Sequence, residues 1–231
     1  VTQEREDDIP MSHAEPDPNR PAVTGLILAG GEGRRMGGVD KGWVTWRDKP
    51  LIAWAIERLR PQVTQLLVSA NRSLERYRAL GYPVVSDAPE WRFAGPLAGI
   101  AAGLAAAPSE WVVTVPCDAP LLPRDLVARF LAAAHKAGVL ARPGVHGAET
   151  THDTLPPVFF AHDGVRAHPV FLLVHRAHLP SLTAFLATNR RRIDAWYGTL
   201  PHSAVSFADE PDAFANCNDP ESLAQLAATA R

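Results

Sequence analysis

Apolar and polar positions fall into short blocks whose period keeps switching, and the switches outline alternating strands and helices. Residues 23–29 form a continuous apolar run that ends in glycines, the pattern of a strand buried on both faces. Residues 43–46 are a short apolar stretch and 47–49 a turn. Ile52, Ala55, Ile56 and Leu59 recur at helical spacing, which predicts a helix opened by Pro50 and running to about Arg60. A second strand is expected over 63–70, and Ser73 stands where the N-cap of a short helix belongs, with Arg76 where a capping box places Glu or Gln. Residues 83–86 read as a third strand that closes on Asp87. The small residues of 94–104 predict a helix lying very close to its neighbour or aiming its N-terminus at a ligand.

Residues 111–115 are β-branched, continuous and bounded by turn signals, and they end in Pro116-Cys117-Asp118-Ala119-Pro120. Pro123 is expected to start an amphipathic helix reaching about Ala137. The pattern then weakens. Residues 142–164 carry repeated prolines and glycines and read as a long excursion with one strand at 158–161. Strand (167–174), helix (179–188), a second, basic helix (189–196) and a last strand (204–207) follow. Asp219 and Pro220 then predict the cap and first turn of a closing helix. His146, His152, His162 and His168 match no ligand spacing and are expected to be scattered on the surface.

Strands alternating with helices imply a mostly parallel sheet with helices on both faces, an α/β fold. Composition changes this picture little. The chain has 231 residues, 46% apolar and 21% charged, with a formal net charge of −2. That suits a globular α/β domain and gives no electrostatic reason to expect nucleic acid as a partner. No apolar run approaches about 18 residues, so neither a membrane span nor a secretory signal is expected. Two cysteines make no disulfide framework and suit a cytoplasmic protein. Residues 1–22, acidic and poor in large apolar side chains, are expected to form a disordered tail.

The candidate chemistry follows the first strand. Gly30, Gly31, Gly33, Gly37 and Gly38 are interleaved with Arg34, Arg35 and Lys41. Glycines let backbone N–H groups close around a phosphate, and the cations neutralise it. Two familiar phosphate loops are excluded. A P-loop needs Ser or Thr after its lysine, and here Gly42 follows Lys41. The dinucleotide fingerprint needs a third glycine where Met36 stands. In a parallel sheet this loop, Asp87 and Asp118 would converge beyond the carboxyl ends of the strands.

The run from Leu28-Ala29-Gly30-Gly31 through Arg35-Met36-Gly37-Gly38 to Asp40-Lys41-Gly42 resembles the signature of nucleotidyltransferases with a GT-A-like fold, and within them the molybdenum cofactor guanylyltransferases. Gly95-Pro96-Leu97-Ala98-Gly99, Pro116-Cys117-Asp118-Ala119-Pro120, His168-Pro169 and Phe214-Ala215-Asn216-Cys217-Asn218 occur in that family's order. The resemblance implies a three-layer α/β/α, Rossmann-like domain over residues 23–231. Residues 23–139 would be its nucleotide-binding half and 140–231 its acceptor half, with an insertion around 142–164. It implies transfer of GMP from GTP to molybdopterin with release of pyrophosphate and Mg2+ as cofactor. The chain would act in the cytoplasm as a monomer or weak oligomer, with cofactor-delivery proteins or molybdoenzymes as possible further partners.

Carried over by position, the resemblance assigns the backbone of Leu28, Ala29 and Gly30 to guanine and ribose, with Gly31 leaving room for a purine. It assigns Arg35 and Lys41 to the triphosphate, Asp87 to the nucleotide, Gly99 to the edge of the base and Asp118 to Mg2+. Arg35, Lys41 and Asp118 are the implied catalytic set. Ser69 stands where relatives often carry Asn as a nucleotide contact, and Ala167 where an acid often precedes His-Pro. His168, Arg191, Arg192, Asn216 and Asn218 fall on the side expected to take molybdopterin. A cytidylyl- or sugar-phosphate nucleotidyltransferase of the same fold, and a non-catalytic nucleotide-binding accessory protein, are the alternatives.

Overall fold

A computed structural model describes residues 21–31, 39–92, 94–140 and 155–215. Most of the acidic tail, Arg35, His146, His152, Asn216, Asn218 and the closing helix lie outside the described residues. Nine strands and six α-helices follow in order: β1 (Val23–Leu28), β2 (Thr45–Trp46), β3 (Lys49–Pro50), α1 (Leu51–Leu59), β4 (Gln65–Ser69), α2 (Leu74–Arg78), β5 (Val84–Val85), α3 (Pro96–Ala106), β6 (Trp111–Pro116), α4 (Leu126–Lys136), β7 (Val158–His162), β8 (Ala167–His175), α5 (Leu179–Ala187), α6 (Ile193–Tyr197) and β9 (His202–Ser206). β2 and β3 make a separate two-stranded hairpin, and the other seven strands form one sheet in the order β5-β4-β1-β6-β8-β7-β9.

The sheet is mostly parallel. β1 pairs in parallel with β4 and β6, β4 with β5, and β7 with β9, while β8 runs antiparallel to both of its neighbours. Successive residues of each central strand point to opposite faces, and each face buries its own helical layer. Ile27 and Val113 pack with Ile52 and Leu59 of α1 and Phe130 of α4. Leu26 and Val112 pack with Ile100 and Leu104 of α3, Leu182 of α5 and Trp196 of α6. This is the three-layer α/β/α arrangement that the alternating pattern predicts.

The connectivity fixes where a ligand can bind. From β1 the chain winds outward to β4 and β5, then returns to the other side of β1 as β6. The winding direction reverses between β1 and β6, and in open α/β sheets the crevice lies outside the carboxyl ends at such a switch point. Because β8 is reversed, its amino end reaches that same edge of the sheet. His162 at the end of β7 is paired there with Ala167 at the start of β8.

The small residues of α3 bring it onto the sheet. A Cβ on Gly103 would lie 2.2 Å from Cδ2 and 2.8 Å from Cδ1 of the fully buried Leu26. A Cβ on Gly99 would lie 2.6 Å from Ser69 Oγ.

Several boundaries differ from the sequence pattern. Pro50 ends β3 and is extended, so α1 starts one residue later. α4 starts at Leu126 rather than Pro123 because a distant side chain caps it: Gln62 Oε1 accepts from Val127 N at 3.0 Å, and Gln62 Nε2 donates to the Pro123 carbonyl at 2.8 Å. Ser73 does precede α2, but it adopts a left-handed conformation and its hydroxyl caps nothing. The basic helix expected over 189–196 begins only at Ile193. Asn189, at φ 62°, ends α5 in a left-handed turn. The strand expected at 158–161 is real and belongs to the main sheet.

Replacing Gly103 with valine tests the close approach of α3. The gain from removing a helical glycine is at most about 1 kcal/mol, and overpacking against Leu26 costs about 1–3 kcal/mol. The variant is expected to unfold at lower urea concentration than the parent, with an unchanged m value.

Candidate active site

The turn after β1 is held from both sides. Ala29 N donates to the Ser69 carbonyl at 2.8 Å, and Cys117 N donates to the Leu28 carbonyl at 3.1 Å. The backbone of Leu28, Ala29 and Gly30 therefore extends the ladder one step past the strand and is fixed where the switch point opens. The two glycines that follow have different reasons. A Cβ on Gly30 would come within 3.1 Å of Asn71 Nδ2, whereas a Cβ on Gly31 would meet nothing within 4 Å among the described residues. Gly30 serves packing, whereas no described atom would crowd a Cβ on Gly31.

Across the crevice, Asp118 follows β6 and is buried, 7% exposed. Lys41, in a single 3-10 turn over Lys41–Trp43, brings Nζ to 3.4 Å from Asp118 Oδ2. Burial pushes the Asp118 carboxyl above its ordinary range, and the Lys41 charge, its hydrogen bond and a backbone N–H draw it back only in part. The neighbouring Cys117 thiol is pushed far up by burial and then by Asp118, so it stays protonated and is no nucleophile. It is a small buried filler.

No group of three or more metal-ligating side chains exists among the described residues. A single buried carboxylate at a loose 3.4 Å from its lysine nevertheless suits Mg2+. That ion keeps several waters and is held by one or two carboxylates together with substrate phosphates. Asp118 fits an ion that arrives with a triphosphate rather than one caged by protein.

The wall on the β4–β5 side is built around Asp87. Asp87 receives a hydrogen bond from Asn71 Nδ2 at 2.7 Å, and its own N–H donates to Asn71 Oδ1 at 3.0 Å. Asn71 thus links the Asp87 carboxylate to the wall beside Gly30. Sequence reasoning placed the contact at Ser69, inside the strand. The signal for Asn71 was an amide two residues further on, in the loop where a parallel strand presents its ligands. Ser69 itself is buried and works through its backbone carbonyl, its hydroxyl turned toward Gly99. Gly99 lies in the first turn of α3, where its lack of a Cβ permits that helix's approach to Ser69.

At the start of β8, His168 is buried, not on the surface as expected. Its Nε2 is 2.7 Å from Asp163 Oδ2, and its ring stacks on Phe214 with centroids 4.6 Å apart. Asp163 Oδ1 also accepts from the backbone N–H groups of Arg166 at 2.7 Å and Val165 at 2.8 Å. The acid absent at Ala167 is thus supplied from across the β7–β8 turn. The Arg166 N–H, then His168 and the Val165 N–H, hold the Asp163 carboxyl well below the usual range. His162 is half-buried, its Nδ1 accepting from Gly164 N. Arg191 is engaged locally, donating to the Leu186 carbonyl at the end of α5 and to Asn189 Oδ1, and Arg192 pairs with Asp194. The structure brings Leu28, Ala29, Gly30, Gly31, Lys41 and Asp118 to one crevice, with Ser69, Asp87 and Gly99 along its wall. His168 lies at the same edge, and Arg191 and Arg192 are committed to helix ends.

Comparison with known proteins gives this geometry a context. Residues 25–202 match the model of the MobA-like NTP transferase domain. The molybdenum cofactor guanylyltransferase of Shewanella loihica is 43% identical over 206 residues, covering 89% of this chain and 96% of that protein. The enzyme of the same name from Polynucleobacter asymbioticus is 44% identical over 207 residues, again covering 89% and 96%. Among solved structures, the molybdopterin-guanine dinucleotide biosynthesis protein A of Archaeoglobus fulgidus superposes with a TM-score of 0.66 at 20% identity. It covers 87% of this chain and 95% of its own, and shows the fold.

Asp163 gives a pH test. A carboxyl whose pKa is depressed by folding contributes stability above its unfolded pKa of about 3.9, and loses it as pH falls through the folded value. Replacing Asp163 with alanine is expected to lower stability at pH 7 by about 1–3 kcal/mol. That gap to the parent should shrink between pH 4 and pH 2. Urea midpoints of both proteins at pH 7 and pH 3 measure it, and a pH-independent gap would show that the charge is not what holds the turn.

Proposed function

The chain belongs to the MobA-like NTP transferase family, and from that premise we propose that it transfers GMP from GTP to the terminal phosphate of molybdopterin, releasing pyrophosphate. The observation that carries the proposal is the Lys41–Asp118 pair, 3.4 Å apart, facing the glycine turn across the switch point between β1 and β6.

The reaction asks for charge management rather than covalent help. A phosphate oxygen of molybdopterin attacks the α-phosphorus of GTP. The bond to the bridging oxygen breaks, and pyrophosphate leaves with the electron pair. The nucleophile is already anionic, so no strong base is required. The barrier is the approach of two polyanions, which fixed positive charge and fixed N–H groups lower. Lys41 supplies the charge beside the phosphates, joined from the glycine loop by Arg35, which lies outside the described residues. Mg2+ held by Asp118 and the triphosphate would neutralise charge on the reacting phosphates. The backbone of Leu28, Ala29 and Gly30 orients the nucleoside, Asp87 binds it with Asn71 fixing the carboxylate, and Gly31, having no Cβ, leaves room for a purine. His168, with Asn216 and Asn218 following Phe214 in sequence, would line the acceptor side. Arg191 and Arg192 are left out of the acceptor site because their guanidinium groups already serve the helix ends.

Replacing Asp118 with asparagine is expected to lower GMP transfer by about a hundredfold or more. The fold should survive, because burial disfavours the charged carboxyl and the amide removes that cost at neutral pH. Near-UV circular dichroism checks the fold, and pyrophosphate release with Mg2+, molybdopterin and a panel of GTP, CTP, ATP and UTP checks the chemistry. Release with CTP but not GTP would overturn the guanylyl assignment. Release with no nucleotide would favour an accessory role.

A further inference from the structure

Asp40, Gly42 and Trp43, the residues flanking Lys41, register on one buried phenol. Tyr77 of α2 is fully buried, and its hydroxyl donates to Asp40 Oδ1 at 2.6 Å. Gly42 lies against the same hydroxyl: a Cβ there would stand 2.4 Å from the Tyr77 oxygen and 3.3 Å from two ring carbons. Trp43 packs on the ring with centroids 5.2 Å apart, and the Arg76 guanidinium lies 4.1 Å from the Trp43 ring centroid. Arg72, from the loop before α2, donates to the Val39 carbonyl at 2.8 Å and lies 3.8 Å from Asp40 Oδ2. Residues 39, 40, 42 and 43 are thus each fixed by α2 or the loop before it. Lys41, between them, is the residue whose side chain reaches Asp118.

We propose that Tyr77 is a positioning residue for nucleotide transfer: its hydroxyl, by bonding Asp40 and bearing on Gly42, sets where Lys41 stands relative to Asp118. This rests on reading Lys41 as a phosphate contact. A buried hydroxyl without a partner is costly, so the bond to Asp40 is maintained and the turn cannot drift from α2. Lysine itself has a long flexible stem, so its reach is only as accurate as its backbone. Where catalysis consists of positioning charge, an error of about 1 Å costs up to about a hundredfold. α2 contributes no substrate contact in this reading. It supplies the surface against which the cation-bearing turn is set.

A double-mutant cycle in the full chain separates positioning from simple core packing. Tyr77→Phe keeps the ring and its contact with Trp43 while removing the hydroxyl. It is expected to lower kcat/KM for GTP by about ten- to a hundredfold and to weaken GTP binding with Mg2+ in parallel. In a Lys41→Ala background the same substitution should change either quantity by less than about twofold, because there is no lysine left to misplace. Asp40→Ala breaks the same hydrogen bond from the other end, should behave alike, and stands in if the phenylalanine variant does not fold. An equal loss with and without Lys41 would show that Tyr77 only holds the core, and would overturn the inference while leaving the role of Lys41 intact. Parent-level activity of Lys41→Ala alone would instead overturn the reading of Lys41, and the positioning role with it. No loss on Tyr77→Phe would overturn the inference directly.

Discussion

A carboxylate buried at the end of a central strand, offset by one lysine, is the constraint on which the rest of the site depends. Asp118 cannot be fully solvated where β6 ends, and Lys41 answers it only at 3.4 Å. A buried ion pair of this kind contributes little net stability, because desolvating both charges consumes most of the attraction. Its burial still pushes the Asp118 carboxyl upward despite the lysine. The pair is therefore poorly explained as a fold-stabilising contact. Under the proposed function it has another explanation: the carboxylate would take a divalent cation and the lysine the phosphates.

Holding such a pair requires that neither partner relax away from the other. Asp118 is fixed because β6 is paired along its whole length with β1, and Cys117 N continues that pairing past the strand. Lys41 has no such frame of its own, since it lies in one turn of 3-10 helix after the glycine loop. Its frame is borrowed from Tyr77 and Arg72. The glycines divide along the same line. Gly42 and Gly103 are small because a buried side chain occupies the space a Cβ would need, whereas no described atom crowds Gly31.

The sequence pattern carried the architecture well, because strand and helix periods are local properties of the chain. The alternation through residue 137 predicted the parallel half and the convergence of the glycine loop, Asp87 and Asp118. The pattern missed what is decided at a distance. α4 begins where Gln62 caps it, and the helix expected from Asn189 is delayed because Arg191 is drawn back to the α5 carbonyls. Asn71 was passed over because its partner, Asp87, comes from the next strand. His168 read as a surface residue because its burial comes from Asp163 across a turn and from Phe214 beyond β9. In each case one member of a pair was visible and the pairing was not.

The one reversed strand among the described residues explains how two parts of the chain reach the same edge of the sheet. A purely parallel continuation beyond β6 would place the amino end of the next strand at the opposite edge and require a crossover helix to return. β8 instead runs against β6, so its first residues, including His168, start at the edge where Asp118 ends. The short β7–β8 turn then adds Asp163 to the same place without a further crossover. Arg129 braces this region from behind, its guanidinium bonded to both oxygens of Asp209, so the segment leading to Phe214 is tied to α4. One part of this edge is shaped by β7 and β8 and the other by β1, β4 and β5, and Asp118 stands where β6 separates them; under the proposed function that puts the carboxylate between the two substrates.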